Sequence, residues 1–186
     1  MKPWFLLPLS LIGAGCHSTW YGVRFAPAAN EVIVRAERDH EREGRQGRAR
    51  VLLSVRGVRR ADPDTGEPAR VEVRARLENI GQVPFYLQQQ SLELLSGDLL
   101  PFGAARITSD GPPRVEPDRA AVLDLHFPMP DGKSPDDVHF DALHLRFSLD
   151  FDGEVVTTGV QFERRDDPYH DRSRFSFGFG YGYLHH

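Results

Sequence analysis

Cysteine is almost missing from this chain: among its 186 residues there is only Cys16. No internal disulfide can form, so whatever holds the fold together is packing and hydrogen bonding. Lysine is nearly as scarce, with only Lys2 and Lys133 against many arginines, a bias read as genomic base composition before function. Net charge is −4, which leaves no basic excess, so nucleic acid is not an expected partner. Long apolar runs are also lacking. Trp4 to Ile12 is the only strongly apolar stretch near the start, and it falls short of the about 20 residues a spanning helix needs. Helical spacing, with apolar residues three and four apart, yields no convincing helix anywhere. Signature loops are absent too: no Gly-x-Ser-x-Gly elbow, no Walker loop and no GxGxxG after a strand. The glycine-rich Phe177–Gly182 segment has no helix after it to hold a phosphate. No catalytic residue is nominated, an enzyme is not expected, and no cofactor is implied.

What is present is a period of two. Arg70 to Gln82 reads RVEVRARLENIGQ, with Val71, Val73, Ala75 and Leu77 alternating with Glu72, Arg74, Arg76 and Glu78. That describes a strand with one dry face and one wet face, typical of antiparallel sheets. Asn79-Ile80-Gly81 then stops it, Asn and Gly being tolerant of the positive φ of a sharp reversal. Ala49 to Val58 is a second strong strand, and Asp62-Pro63-Asp64-Thr65-Gly66 is a turn that should join the two as an antiparallel hairpin. The acidic run DPDTGE lacks the twelve-residue frame of a calcium loop. Leu143, Leu145, Phe147, Leu149 and Phe151 make the cleanest alternating face, and Asp152-Gly153 turns it back into Glu154 to Glu163. Pro84 restricts Val83 to Gln88 to an edge strand or one that starts after the proline. Seven to nine short strands joined by turn-rich loops predict an all-β fold, an antiparallel β-sandwich.

The N-terminus supplies an address. Met1-Lys2 is a positive n-region, Trp4 to Ile12 an apolar h-region, and Gly13-Ala14-Gly15 are small residues before Cys16. The stretch LIGAGC resembles the lipobox of bacterial lipoproteins, in which the cysteine is diacylated and becomes N-terminal. The position three before the cysteine, where that family prefers Leu, holds Gly13. The resemblance implies lipid attachment at Cys16, export, and a membrane partner reached through N-terminal acylation. With His17 rather than Asp following the cysteine, it points to the outer membrane facing the periplasm. An ordinary secretory signal cut at Ala14 or Gly15 would use the same residues.

The expected organisation is therefore a signal at 1–15, a tether at 16–30 whose Trp20, Tyr21 and Phe25 pack on the domain or, alternatively, lie at a membrane interface, a sandwich over 31–163 with a charged loop at 37–48, and a tail at 164–186. The tail alternates Phe175, Phe177, Phe179, Tyr181 and Tyr183 with small residues and reads as flexible, with conditional docking, the alternative being a terminal strand with one aromatic face. The series VEVRARLENIGQVPFYL, RVEPDRAAVLDLHFPMP and LHLRFSLDFDG resembles the immunoglobulin-like domains of exported bacterial proteins of unassigned function, which implies that fold over roughly 49–163 and no activity. The function expected from these readings is a non-enzymatic, lipid-anchored envelope protein, structural or protein-binding, with an envelope protein as partner. The alternative is a periplasmic zinc or copper module. His126 and His144 both point away from the apolar face of their strands, so they would meet on one surface if those strands were neighbours, with the tail histidines His170, His185 and His186 within reach.

Overall fold

Alternating side chains build two antiparallel sheets that face each other across one core. The computed structural model describes residues 19–29, 31–36, 46–108 and 114–165. Twelve strands occur among them: β1 (Trp20–Tyr21), β2 (Arg24–Pro27), β3 (Val32–Arg35), β4 (Arg48–Arg59), β5 (Arg70–Asn79), β6 (Phe85–Leu87), β7 (Glu93–Ser96), β8 (Arg106–Ile107), β9 (Arg114–Val115), β10 (Ala120–Pro128), β11 (Ala142–Phe151) and β12 (Glu154–Arg165). The first sheet runs β1-β4-β5-β10-β8, with β3 also on β4; the second runs β2-β12-β11-β6-β9, with β7 also on β11. Stripped of the short flanking strands, β4-β5-β10-β8 faces β6/β7-β11-β12. That is the four-over-three strand order of an immunoglobulin constant-type sandwich, so the all-β antiparallel sandwich expected from the alternation is the one the chain adopts, in the strand order that the resemblance to immunoglobulin-like domains implies.

The two hairpins form where the turn chemistry puts them. β4 pairs with β5 across the 60–69 loop, and β11 pairs with β12 across Asp152-Gly153. Asp152 (φ 52°) and Gly153 (φ 94°) both lie in the left-handed region that a two-residue hairpin requires. Dry faces meet in the middle: Val71, Val73, Leu77, Leu123, Leu125 and Phe127 from the first sheet, and Leu143, Leu145, Phe147, Leu149, Phe151 and Phe162 from the second, all at most 1% exposed. Each such side chain contributes about 1.5–3 kcal/mol on leaving water, and this is the cohesion that no disulfide supplies. The only helical pieces described are two single 3₁₀ turns, Gln89–Ser91 and Pro135–Asp137.

Several boundaries differ from the expectation. Residues 19–29, expected to be a tether, are part of the sandwich: β1 pairs with β4, and β2 pairs with β12. Tyr21 and Phe25 pack on Phe140 at ring-centroid distances of 5.9 and 6.2 Å. β12 reaches Arg165, two residues past the expected edge, because β2 covers its last turns of ladder. β4 starts at Arg48, inside the stretch expected to be a charged loop, while 37–45 lie outside the described residues. Asn79-Ile80-Gly81 does turn the chain, but without positive φ at either Asn79 or Gly81. Gly81 is needed for closeness instead: a Cβ there would lie 2.5 Å from both the Arg48 nitrogen and the Gln46 carbonyl oxygen.

Candidate functional site: the pole where the chain enters and leaves

One end of the sandwich collects the 60–69 loop, the 129–141 loop, the turn after β7 and the first strands. The described chain enters it at Thr19, whose carbonyl accepts the Arg60 amide at 2.9 Å, and leaves it at Arg165, paired with Arg24. Two depressions open here. The larger, about 630 Å³, lies between the two loops and is walled by Pro68, Pro128, Pro130 and Pro135, with Arg60, Lys133, Asp131 and Asp136 among its polar lining. Ring-locked φ makes that wall stiff. A capping box sets one side of it: the Ser134 amide donates to the Asp137 carboxylate at 2.8 Å, and the hydroxyl does so at 2.7 Å, ahead of the 3₁₀ turn. These hydrogen bonds hold the Asp137 carboxyl below its ordinary range.

Arg60 links the depression to the N-terminal strands. Its guanidinium stacks on the Tyr21 ring at 5.1 Å and reaches Asp136 at 3.8 Å. Burial, then the charge and hydrogen bond of Asp136, push the Tyr21 phenol above its usual value. Across the pole the Asp62 carboxylate accepts the Asp64 amide at 2.9 Å and the Thr65 amide at 3.4 Å. Those contacts lower its pKa and show what the acidic run DPDTGE is for: it closes a turn. Leu99 is the most conspicuous apolar group, 64% exposed at the tip of the β7 turn in a left-handed conformation (φ 62°). Trp20 is 39% exposed, with the Arg59 guanidinium 5.8 Å from its ring. Of these pole residues, sequence singled out Trp20, Tyr21 and the Asp62–Gly66 turn, but not Arg60, Leu99 or Asp136. A left-handed leucine and a recess between distant loops have no local pattern to reveal them.

The wet face of the first sheet is a set of ion pairs, some across strands and some along β5. Arg74 holds Asp124 in a two-pronged contact at 2.8 and 3.0 Å, and Glu78 accepts from Arg50 and Arg76 at 3.1 and 2.8 Å. Glu72, expected to be solvated, is buried between Arg70 at 3.1 Å and Arg59 at 3.6 Å. His126 lies on this face, 3.9 Å from Glu72. His144 is on β11 in the other sheet, opposite Gln161 and Leu95. Their strands are not neighbours, so the two imidazoles are not brought together and the condition for a shared zinc or copper site fails. Among the described residues no three His, Cys, Asp or Glu side chains form a metal-ligand cluster. Cys16 and the tail residues His170, His185 and His186 lie outside the described residues.

No family model matches the chain, and no curated protein matches it. A solved structure described as Northeast Structural Genomics Consortium target SoR45 aligns with 74% of this chain and 92% of its own length at 13% identity. Its TM-score of 0.37 is too low to bear on fold or function.

Proposed function

We propose that the chain is a non-enzymatic lipoprotein of the cell envelope, anchored through acylated Cys16 on the periplasmic face of the outer membrane, whose sandwich binds another envelope protein. The observation that carries this is the LIGAGC stretch ending at Cys16, and its spacing from the fold sets the orientation. Three residue steps separate Cys16 from Thr19, which is fixed to β4 through Arg60. A fully extended chain covers about 3.5 Å per residue, so an anchor at Cys16 would hold this pole within about 10 Å of the bilayer. Acylation supplies the anchor's strength, at about 0.8 kcal/mol per buried CH₂, with two or more chains needed for stable attachment.

The pole suits a polypeptide partner. A stiff proline wall, charges of both signs and a protruding Leu99 resemble the rim and apolar centre of protein interfaces more than an enclosed small-molecule pocket. Serine–carboxylate contacts near the pole, Ser134 with Asp137 and Ser96 with Asp98, serve turns. The test of the anchored reading is membrane partition. Wild-type protein should sediment with membranes and be released by detergent, whereas Cys16→Ser should appear in the soluble fraction; a Cys16→Ser protein that stays with membranes would refute the reading.

A further inference from the structure

Strand β12 is paired along both flanks only near its end. On one side β11 pairs with it from Glu154 to Glu163; on the other, β2 pairs with 162–165 alone. The Gln161 carbonyl accepts the Ala28 amide at 2.8 Å on the side away from β11. Backbone groups alternate in direction along a strand, so the N–H and C=O groups of Val155, Thr157 and Gly159 point the same way. Among the described residues no strand pairs with them. Their side-chain face is open as well: all three are exposed, Val155 at 50%. Sheet edges are ordinarily blunted by charge, proline or a covering element, but residues 155–162 read VVTTGVQF, with no charge and no proline. Uncharged and rich in β-branched residues, this edge is built to accept a further strand.

The chain itself holds a segment of matching character. Residues 166–186 follow Arg165 and lie outside the described residues. In them Phe175, Phe177, Phe179, Tyr181 and Tyr183 alternate with Ser176, Gly178, Gly180 and Gly182, again without charge. Glycine weakens such a stretch as an isolated strand, so it gains most from an edge already in place. The reach suffices. From Arg165 back to Gln161 is about 13 Å along β12, and crossing β2 adds about 5 Å, whereas residues 166–174 extend to about 30 Å. A strand laid on in this way runs antiparallel to β12, and residues opposed across the pair share a face. With the aromatic row on the outer face, rings lie over Val155, Thr157 and the bare Gly159. Serine and glycine then fall on the inner face, beside Val156 and Thr158, which are already half-buried. Tethering also gives the segment an effective concentration in the mM range, which a second copy of the chain would have to match. We propose that residues 175–183 add to β12 as an antiparallel strand along 155–159.

The test is amide hydrogen exchange, resolved by nuclear magnetic resonance, on the full chain carrying Cys16→Ser so that no intermolecular disulfide forms. The comparison chain also carries Phe177→Ser, Phe179→Ser and Tyr181→Ser, which keep its length and charge. Strand addition should slow exchange of the Thr157 and Gly159 amides about tenfold or more relative to the comparison chain. The Val156 and Thr158 amides face β11 and should exchange equally in both, which shows that the sandwich itself is intact. Ring protons of the tail should also give nuclear Overhauser contacts with the Val155 and Thr157 methyl groups. Equal exchange at Thr157 and Gly159 in the two chains would overturn the proposal, as would the absence of those contacts. Slowing that grows with protein concentration would assign the edge to a second copy of the chain and overturn the tail. Acylation is absent throughout, so these outcomes are separate from whether the wild-type chain is anchored.

Discussion

Asn79 carries more of the architecture than its size suggests. Its side chain is 2% exposed. The amide nitrogen donates to the Val83 and Val115 carbonyls at 2.8 and 3.0 Å, and the amide oxygen accepts the Gly81 N–H at 3.0 Å. One residue thus ties the end of β5 to the following turn and to β9 in the opposite sheet. Asn79→Ala leaves buried groups without partners and should cost about 2–4 kcal/mol, read from urea denaturation midpoints. Asn79→Asp should cost more at neutral pH, because it keeps the acceptor but turns a carboxylate on two carbonyl oxygens. At the same scale, the Arg74 hydrogen bond holds the Asp124 carboxyl below its ordinary range. A depressed folded-state pKa means that the stabilisation is complete above the unfolded value of about 4 and is lost as pH falls through the lower folded value. Asp124→Asn should therefore flatten the stability profile below about pH 4 and leave its shape at higher pH unchanged. The effect should be small, since the Arg74 and Asp124 side chains are 45% and 30% exposed.

At the scale of elements, glycines separate two physical demands. Gly81→Ala drives a Cβ into backbone atoms at 2.5 Å, whereas Gly66 (φ 71°) has nothing within 4 Å and resists substitution through its φ alone. Gly81→Ala should cost about 3 kcal/mol and Gly66→Ala about 1 kcal/mol; the reverse order in urea midpoints would contradict the distinction. From sequence the two residues look alike, both being turn glycines, because a close approach between 46–48 and 81 is set by tertiary packing. The long elements were legible for a local reason. β5, β11 and β12 alternate over many residues, and their hairpins end in residues that accept positive φ. β1 and β2 were not, since two- and four-residue strands interrupted by Gly22 and ended at Pro27 show no period, and only their partners β4 and β12 define them. The β-bulge at Arg56, where the β4–β5 register slips, left one trace: alternation from Ala49 fails at Val55-Arg56-Gly57, where a glycine inside a strand marks an irregularity. For the histidines, sequence gave the face of each strand correctly but not which sheet the strand joins, and that is what keeps His126 and His144 apart.

For the whole molecule, the consequence of the topology is polarity. Thr19 and Arg165, the first and last described residues, both lie at the end that holds the proline-walled hollow, Leu99 and Trp20. The opposite end is made of the Asp152-Gly153 hairpin and the turn at Gly81. An anchor at Cys16 would convert this asymmetry into orientation, placing the featured pole toward the bilayer and the plain one toward the periplasm. Everything about location depends on what happens at that one cysteine. The most direct measurement is mass spectrometry of the N-terminal peptide from protein recovered from membranes. The account predicts a chain that begins at Cys16 and carries the mass of a diacylglyceryl group. A mature chain with unmodified Cys16, or one still joined to residues 1–15, would contradict it.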